Sequence, residues 1–381
     1  MMECALWNIL RRAVAAGASD VHLDGMAPPV VRLQGELRPL ELFPSAAARN
    51  PETWPAAPRP AGLKIAEAAE AIQKEWQTEE LFRPVLSERH RAQLRERGEC
   101  DLACQLPEGQ RFRVNLFRSG GTLSASIRVI PDTLPTCEIL GLPEAVRKFA
   151  ALSRGLVLIT GATGSGKSTT LAAILNEINT TRRVHILTLE DPVEYRFPPD
   201  RSLIHQREVG QDTRSFASGL RAALREDPDV IMVGELRDEE TIATALTAAE
   251  TGHLVFATLH TNSAADSVDR MVNVFPEGQQ RQIRLQLSTT LRAVLSQQLL
   301  PKRAGGRAAA CEVMMVNSAI KNLIREGKTP QIDSFITMNA QDGSITMDNA
   351  LLKMVREGTV TYETALGYAR DREAFSKGRR G

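Results

Sequence analysis

The spacing of apolar and polar residues changes character along this chain. Leu6–Ala16 carries apolar residues at helical spacing, and Val30–Gly35 alternates as a half-buried strand does. From Leu63 to Arg97 the pattern is charged and amphipathic, which predicts helices interrupted at Arg83-Pro84. Arg111–Leu116 and Leu123–Ile130 read as two strands joined by a turn at Ser119-Gly120-Gly121. Beyond Ala150 the pattern changes. Short apolar runs at Gly155–Thr160, His185–Leu189, Val230–Val233 and His253–Leu259 are separated by helical stretches such as Thr169–Ile178. Strands alternating with helices predict an α/β domain with a parallel sheet. From Arg281 onward the pattern reads as helical throughout, as in Ala319–Glu326 and Asn349–Glu357.

Proline marks the divisions. Pro44, Pro51, Pro55, Pro58 and Pro60 fall in one Ala-rich stretch, which predicts an exposed insertion near residues 44–62. Pro131, Pro135 and Pro143 predict a linker over 135–150, separating a domain at 1–134 from another at 151–381. Composition narrows the class. With 43% hydrophobic and 24% charged residues, the 381-residue chain is globular rather than disordered. Lys+Arg (47) and Asp+Glu (46) nearly cancel to +1, which argues against a nucleic-acid partner. No apolar run reaches the roughly 18 residues of a membrane span. The N-terminal segment carries Glu3 and no signal-like apolar run, and the five cysteines form no CxxC pair; a cytoplasmic protein with reduced thiols is expected.

The chemistry begins at Gly161-Ala162-Thr163-Gly164-Ser165-Gly166-Lys167-Ser168, which fits G-x-x-x-x-G-K-[ST] between an apolar strand and a helix. In such a loop glycines let backbone N–H groups turn toward a β-phosphate at a helix N-terminus. Lys167 would meet the β- and γ-phosphates, Ser168 would ligate Mg²⁺, and Thr169 joins the nucleotide contacts. Asp229–Glu235 is an apolar strand ending in an acid, as a metal-facing carboxylate requires. Glu190, Asp191 and Glu194 follow another strand; either one of them orients or deprotonates the attacking water, or they form an acidic surface loop. His253 and His260 flank one apolar run, His260 where a γ-phosphate sensor would stand; the plainer reading makes them satisfied polar residues.

Taken together, Gly155–Ser168, Glu190–Glu194, Asp227–Glu235 and Thr251–His260 resemble the four boxes of the type II/type IV secretion ATPases. Ala18–Leu23 and Ala319–Glu326 are similar to segments of the PilT-type pilus-retraction branch, and the resemblance runs from about Ala18 to Tyr368. It implies a PAS-like α+β N-terminal domain and a RecA-like ATPase domain assembled as a homohexamer that uses ATP and Mg²⁺. It assigns Glu194 as the catalytic glutamate, Glu235 as the Mg²⁺-side acid, and His253 and His260 as a histidine pair. Glu190 and Asp191 join the nucleotide contacts, and Arg113, Arg128 and Arg270 become catalytic arginines. It further implies an inner-membrane pilus platform protein as partner, a paralogous retraction ATPase as a second one, and a place at the cytoplasmic side of the pilus base. Ala162, where the family has Pro, and Lys321, where it has Arg, depart from the pattern; the Pro-rich stretch has no counterpart in it. The competing readings are an accessory retraction ATPase, an extension or type II secretion ATPase, and a P-loop DNA translocase.

Overall fold

A computed structural model of the chain describes residues 5–24, 27–33, 35–40, 78–130 and 133–378. They divide into two units, Met1–Thr133 and Leu134–Gly381. The Pro-rich stretch at 44–62 and the predicted helical residues 63–77 lie outside the described residues.

The first unit is built on an antiparallel sheet. Its strands are β1 (Asp20–Asp24), β2 (Ala27–Leu33), β3 (Glu36–Pro39), β4 (Glu99–Gln105), β5 (Arg111–Ser119) and β6 (Thr122–Ile130), in the order β3-β2-β1-β6-β5-β4. Burial alternates along β4, as expected of a sheet with one dry face. Against that face lies the helix Ala5–Ala15, whose Leu6, Ile9, Leu10 and Ala13 share a core with Phe112, Val114, Leu116 and Ile127. The i, i+3, i+4, i+7 spacing of these four residues puts them on one stripe. Helices Thr78–Phe82 and Glu88–Arg97 are separated at Arg83–Ser87, where the Arg83-Pro84 break was expected. The β5–β6 hairpin turns at Gly120 and Gly121, both at positive φ (58° and 86°), so the strands run longer than the sequence pattern suggests.

The second unit carries a seven-stranded sheet of β7 (Gly155–Thr160), β8 (His185–Glu190), β9 (Leu203–Glu208), β10 (Val230–Val233), β11 (Leu254–Leu259), β12 (Leu291–Pro301) and β13 (Arg307–Met315). The order is β13-β12-β7-β11-β10-β8-β9; every pairing is parallel except the β12–β13 hairpin. All residues of β7, β10 and β11 are buried. Neighbouring residues serve opposite faces: Leu156 and Leu158 pack in one core with Leu246 and Met271, Val157 and Ile159 in another with Ile174 and Leu175. Two covered faces are why these strands read as unbroken apolar runs.

Two expectations are corrected here. The region after Arg281 is not helical throughout, because the helix Glu277–Thr290 gives way to the β12–β13 hairpin. Leu, Ala and Gln dominate β12 and favour helix locally, yet pairing with β7 from Leu156 to Thr160 overrides that preference. Residues 135–150 are not a bare linker. They contain the helix Glu144–Ala150, and Cys137, Val146 and Phe149 are buried in the second unit's core. The prolines punctuate turns there without excluding an apolar face.

Candidate active site at the carboxyl edge of the parallel sheet

β7 delivers the chain to the glycine-rich loop. Gly161, Gly164 and Gly166 have φ of 142°, 80° and 91°, a region open to glycine. At Gly161 space demands glycine as well, because a Cβ there would run into the Gln297 carbonyl oxygen. The helix Lys167–Thr181 follows, and Gly166 brings no side chain to cap its first turn, whose N–H groups face outward as an anion cradle. Lys167 Nζ donates to the carbonyls of Gly161 (2.8 Å) and Ala162 (3.0 Å). Burial holds its pKa below the usual lysine value, while the carboxylates of Glu235 and Glu194 pull it back up. Ser165 Oγ is buried without a hydrogen-bond partner among the described residues, and Ser168 is exposed at the helix start. Thr170 Oγ1 donates to Gln297 Oε1 at 2.8 Å, which anchors the helix to β12. The loop therefore fits a polyphosphate: glycines at its positive-φ positions, an orphaned hydroxyl and a buried cation.

Acidic groups face this loop from the next strands. Glu235 follows β10; Arg237 Nε lies 2.6 Å from one of its oxygens and His260 Nε2 lies 3.5 Å from the other. Ser168 and Glu235 are the oxygen donors suited to a hard cation such as Mg²⁺. Glu194 is half-buried in the loop after β8, within the electrostatic field of Lys167.

Glu190 differs from its expected role. Its carboxylate is buried and accepts from Thr188 Oγ1 (2.6 Å) and Gln206 Nε2 (3.1 Å), and burial pushes its pKa up. It anchors the loop from inside, whereas Asp191 beside it is exposed. His253 also departs from expectation. It precedes β11 at the amino edge of the sheet, where Gly155 N–H bonds to its carbonyl, and its Nδ1 lies 3.0 Å from the Ala248 carbonyl and 3.2 Å from Thr251 Oγ1. The six-residue strand separates it from His260 by roughly 20 Å at ~3.3 Å per residue. The histidine thus closes the end of the helix Glu239–Glu250 rather than facing the phosphate loop. Arg270 is exposed in the last turn of the helix Ala264–Asn273. In the first unit, Arg113 and Arg128 are directly opposed across β5 and β6, so they share one face; Arg128 Nε pairs with Asp20 at 3.0 Å.

A family model described as "Type II/IV secretion system protein" matches residues 106–367. The chain is 42% identical to the type IV pilus retraction ATPase PilT of Pseudomonas aeruginosa, over 97% of this chain and 99% of that protein. The chain belongs to the type II/IV secretion system protein family. Within this family it is also 36% identical to the type IV pilus ATPase PilU of Pseudomonas aeruginosa, over 95% of this chain and 88% of that protein. Among solved structures, the pilus retraction motor PilT with bound ADP superposes with a TM-score of 0.83 and 44% identity, covering 97% of this chain and 98% of that one. The fold is thus the α/β ATPase fold of the family. Among the described residues, no helix is long and apolar enough to cross a membrane.

Four residues of the site escaped sequence reasoning: Gln297 beneath the loop, Arg237 on Glu235, and Tyr195 and Gln206 around the acidic loop. Position alone marked Tyr195, next to Glu194, and Arg237, two residues past Glu235. Gln297 lay in a segment read as helix and carried no signal.

Proposed function

We propose that the chain is a ring-forming ATPase that drives type IV pilus retraction, acting as a homohexamer on an inner-membrane platform protein at the cytoplasmic side of the pilus base. The observation that carries this reading is the convergence of Lys167, Glu194, Glu235 and His260 on one glycine loop, in a chain spanning 99% of the length of a pilus retraction ATPase. Lys167 binds the β- and γ-phosphates, exchanging the two loop carbonyls for phosphate oxygens. Ser168 and Glu235 would hold Mg²⁺, which would supply positive charge to the bound phosphates. Glu194 accepts a proton from the attacking water, and His260 reports the γ-phosphate to Glu235. Arg113, Arg128 and Arg270 are proposed as catalytic arginines that add positive charge in the assembled ring.

Deletion of the gene tests the reading: abundant surface pili without twitching support retraction, and a bald cell supports extension. Similarity to PilU favours a second reading, an accessory retraction motor; a deletion strain that still retracts its pili against low load supports that one.

A further inference from the structure

β9 pairs with β8 at the edge of the sheet, and its side chains reach the acidic loop that leaves β8. Backbone groups at alternate loop positions are held in turn. Val193 N–H donates to Glu208 Oε2 at 3.1 Å, the Tyr195 carbonyl accepts from Gln206 Nε2 at 2.7 Å, and Phe197 N–H donates to Gln206 Oε1 at 3.3 Å. Gln206 and Glu208 stand two apart on a strand and so present side chains to the same face. Gln206 Nε2 also donates to the buried Glu190 carboxylate at 3.1 Å. On the other side, the Tyr195 hydroxyl and Thr169 Oγ1 share a 3.1 Å hydrogen bond, tying the loop to the helix beside Ser168.

The residue between these ties is Glu194. A loop outside the ladder must find partners for its backbone groups elsewhere, and here a strand's side chains supply them. A general base needs such support, because displacement by about 1 Å can cost on the order of 10² in rate. We infer that Gln206 and Glu208 are positioning residues for Glu194: edge strand β9 clamps the backbone on both sides of the catalytic carboxylate and sets its distance from the phosphate loop. This inference rests on the reading of Glu194 as the group that activates water.

The test compares Gln206→Met, Glu208→Met, Glu208→Gln and Glu194→Gln in the full-length protein, measuring kcat, KM for ATP, ADP affinity and melting temperature. Gln206→Met keeps the volume and removes both donors and the acceptor; kcat falls roughly 10- to 100-fold while KM and ADP affinity hold. Glu208→Met lowers kcat less, and Glu208→Gln, which keeps an oxygen for Val193 N–H, restores it. This pair carries the test if Gln206→Met does not fold. Wild-type kcat in Gln206→Met and Glu208→Met alongside a slow Glu194→Gln overturns the clamp alone. Parallel losses of kcat, ADP affinity and melting temperature overturn it too, making β9 a structural edge. Wild-type turnover in Glu194→Gln removes the underlying reading and the inference with it.

Discussion

The two ends of β11 carry the same residue type in different trades. His260, past the carboxyl end, is half-exposed and stands 3.5 Å from Glu235; His253, before the amino end, is tied to the end of the preceding helix. The difference follows from strand polarity. When strands are parallel, every segment leaving a strand's carboxyl end emerges at one edge, and ligands bind in the crevice there. That edge collects the loop after Thr160, Glu194 after β8, Glu235 after β10 and His260 after β11. The opposite edge receives the strand starts and the turns that feed them. Chemistry is sorted by edge rather than by residue type.

Substitutions at the carboxyl edge should therefore change turnover, and substitutions at the amino edge should change stability. Lys167→Ala has the largest expected effect. The loop loses its buried cation, and both nucleotide binding and hydrolysis fall below detection in ADP titration and phosphate-release assays; wild-type turnover would remove the phosphate-loop reading. Glu194→Gln comes next. It keeps a polar group of equal size but no proton acceptor, so ATP still binds while kcat drops about 10²- to 10⁴-fold. Loss of binding instead would make Glu194 structural.

The histidines test the comparison directly. His260→Ala should lower kcat on the order of tenfold, less than the 10²–10³ of a dedicated charge-stabilising donor. His253→Ala should leave kcat alone and cost about 0.5–1.5 kcal/mol of stability through its lost hydrogen bonds. Denaturant melts and steady-state kinetics on both variants decide it; a kcat loss in His253→Ala at unchanged stability breaks the division into edges.

The smallest effect is a pH dependence at Glu190. Burial raises its pKa, so the folded state holds this proton more tightly than the unfolded chain. Its contribution to stability is complete below the ordinary carboxyl range and is lost as pH rises through the folded pKa. Glu190→Gln removes that loss. Its melting temperature relative to wild type should rise as pH increases from the ordinary carboxyl range upward. A constant difference across that range would show that Glu190 is ionised in the folded protein at no cost.

Elements whose signals are local were legible in the residues alone. The glycine loop was legible because positive φ at Gly164 and Gly166 leaves few alternatives to glycine, and the buried strands because both their faces are covered. The order of motif acids along the chain also placed Glu194 and Glu235 after strands. Which residues meet depended on how distant segments pair. Gln297 supports the loop from a strand whose composition favours helix, held extended by its pairing with β7. Glu190 looks like Glu194 in sequence, yet the last position of β8 turns it inward to Thr188 and Gln206. The two histidines bracket a single strand in sequence, and strand length and polarity set them at opposite edges of the sheet. Local pattern encodes backbone conformation, because sterics and burial act residue by residue; the neighbours of a side chain depend on pairings between segments as far apart as Thr170 and Gln297, which no local signal carries.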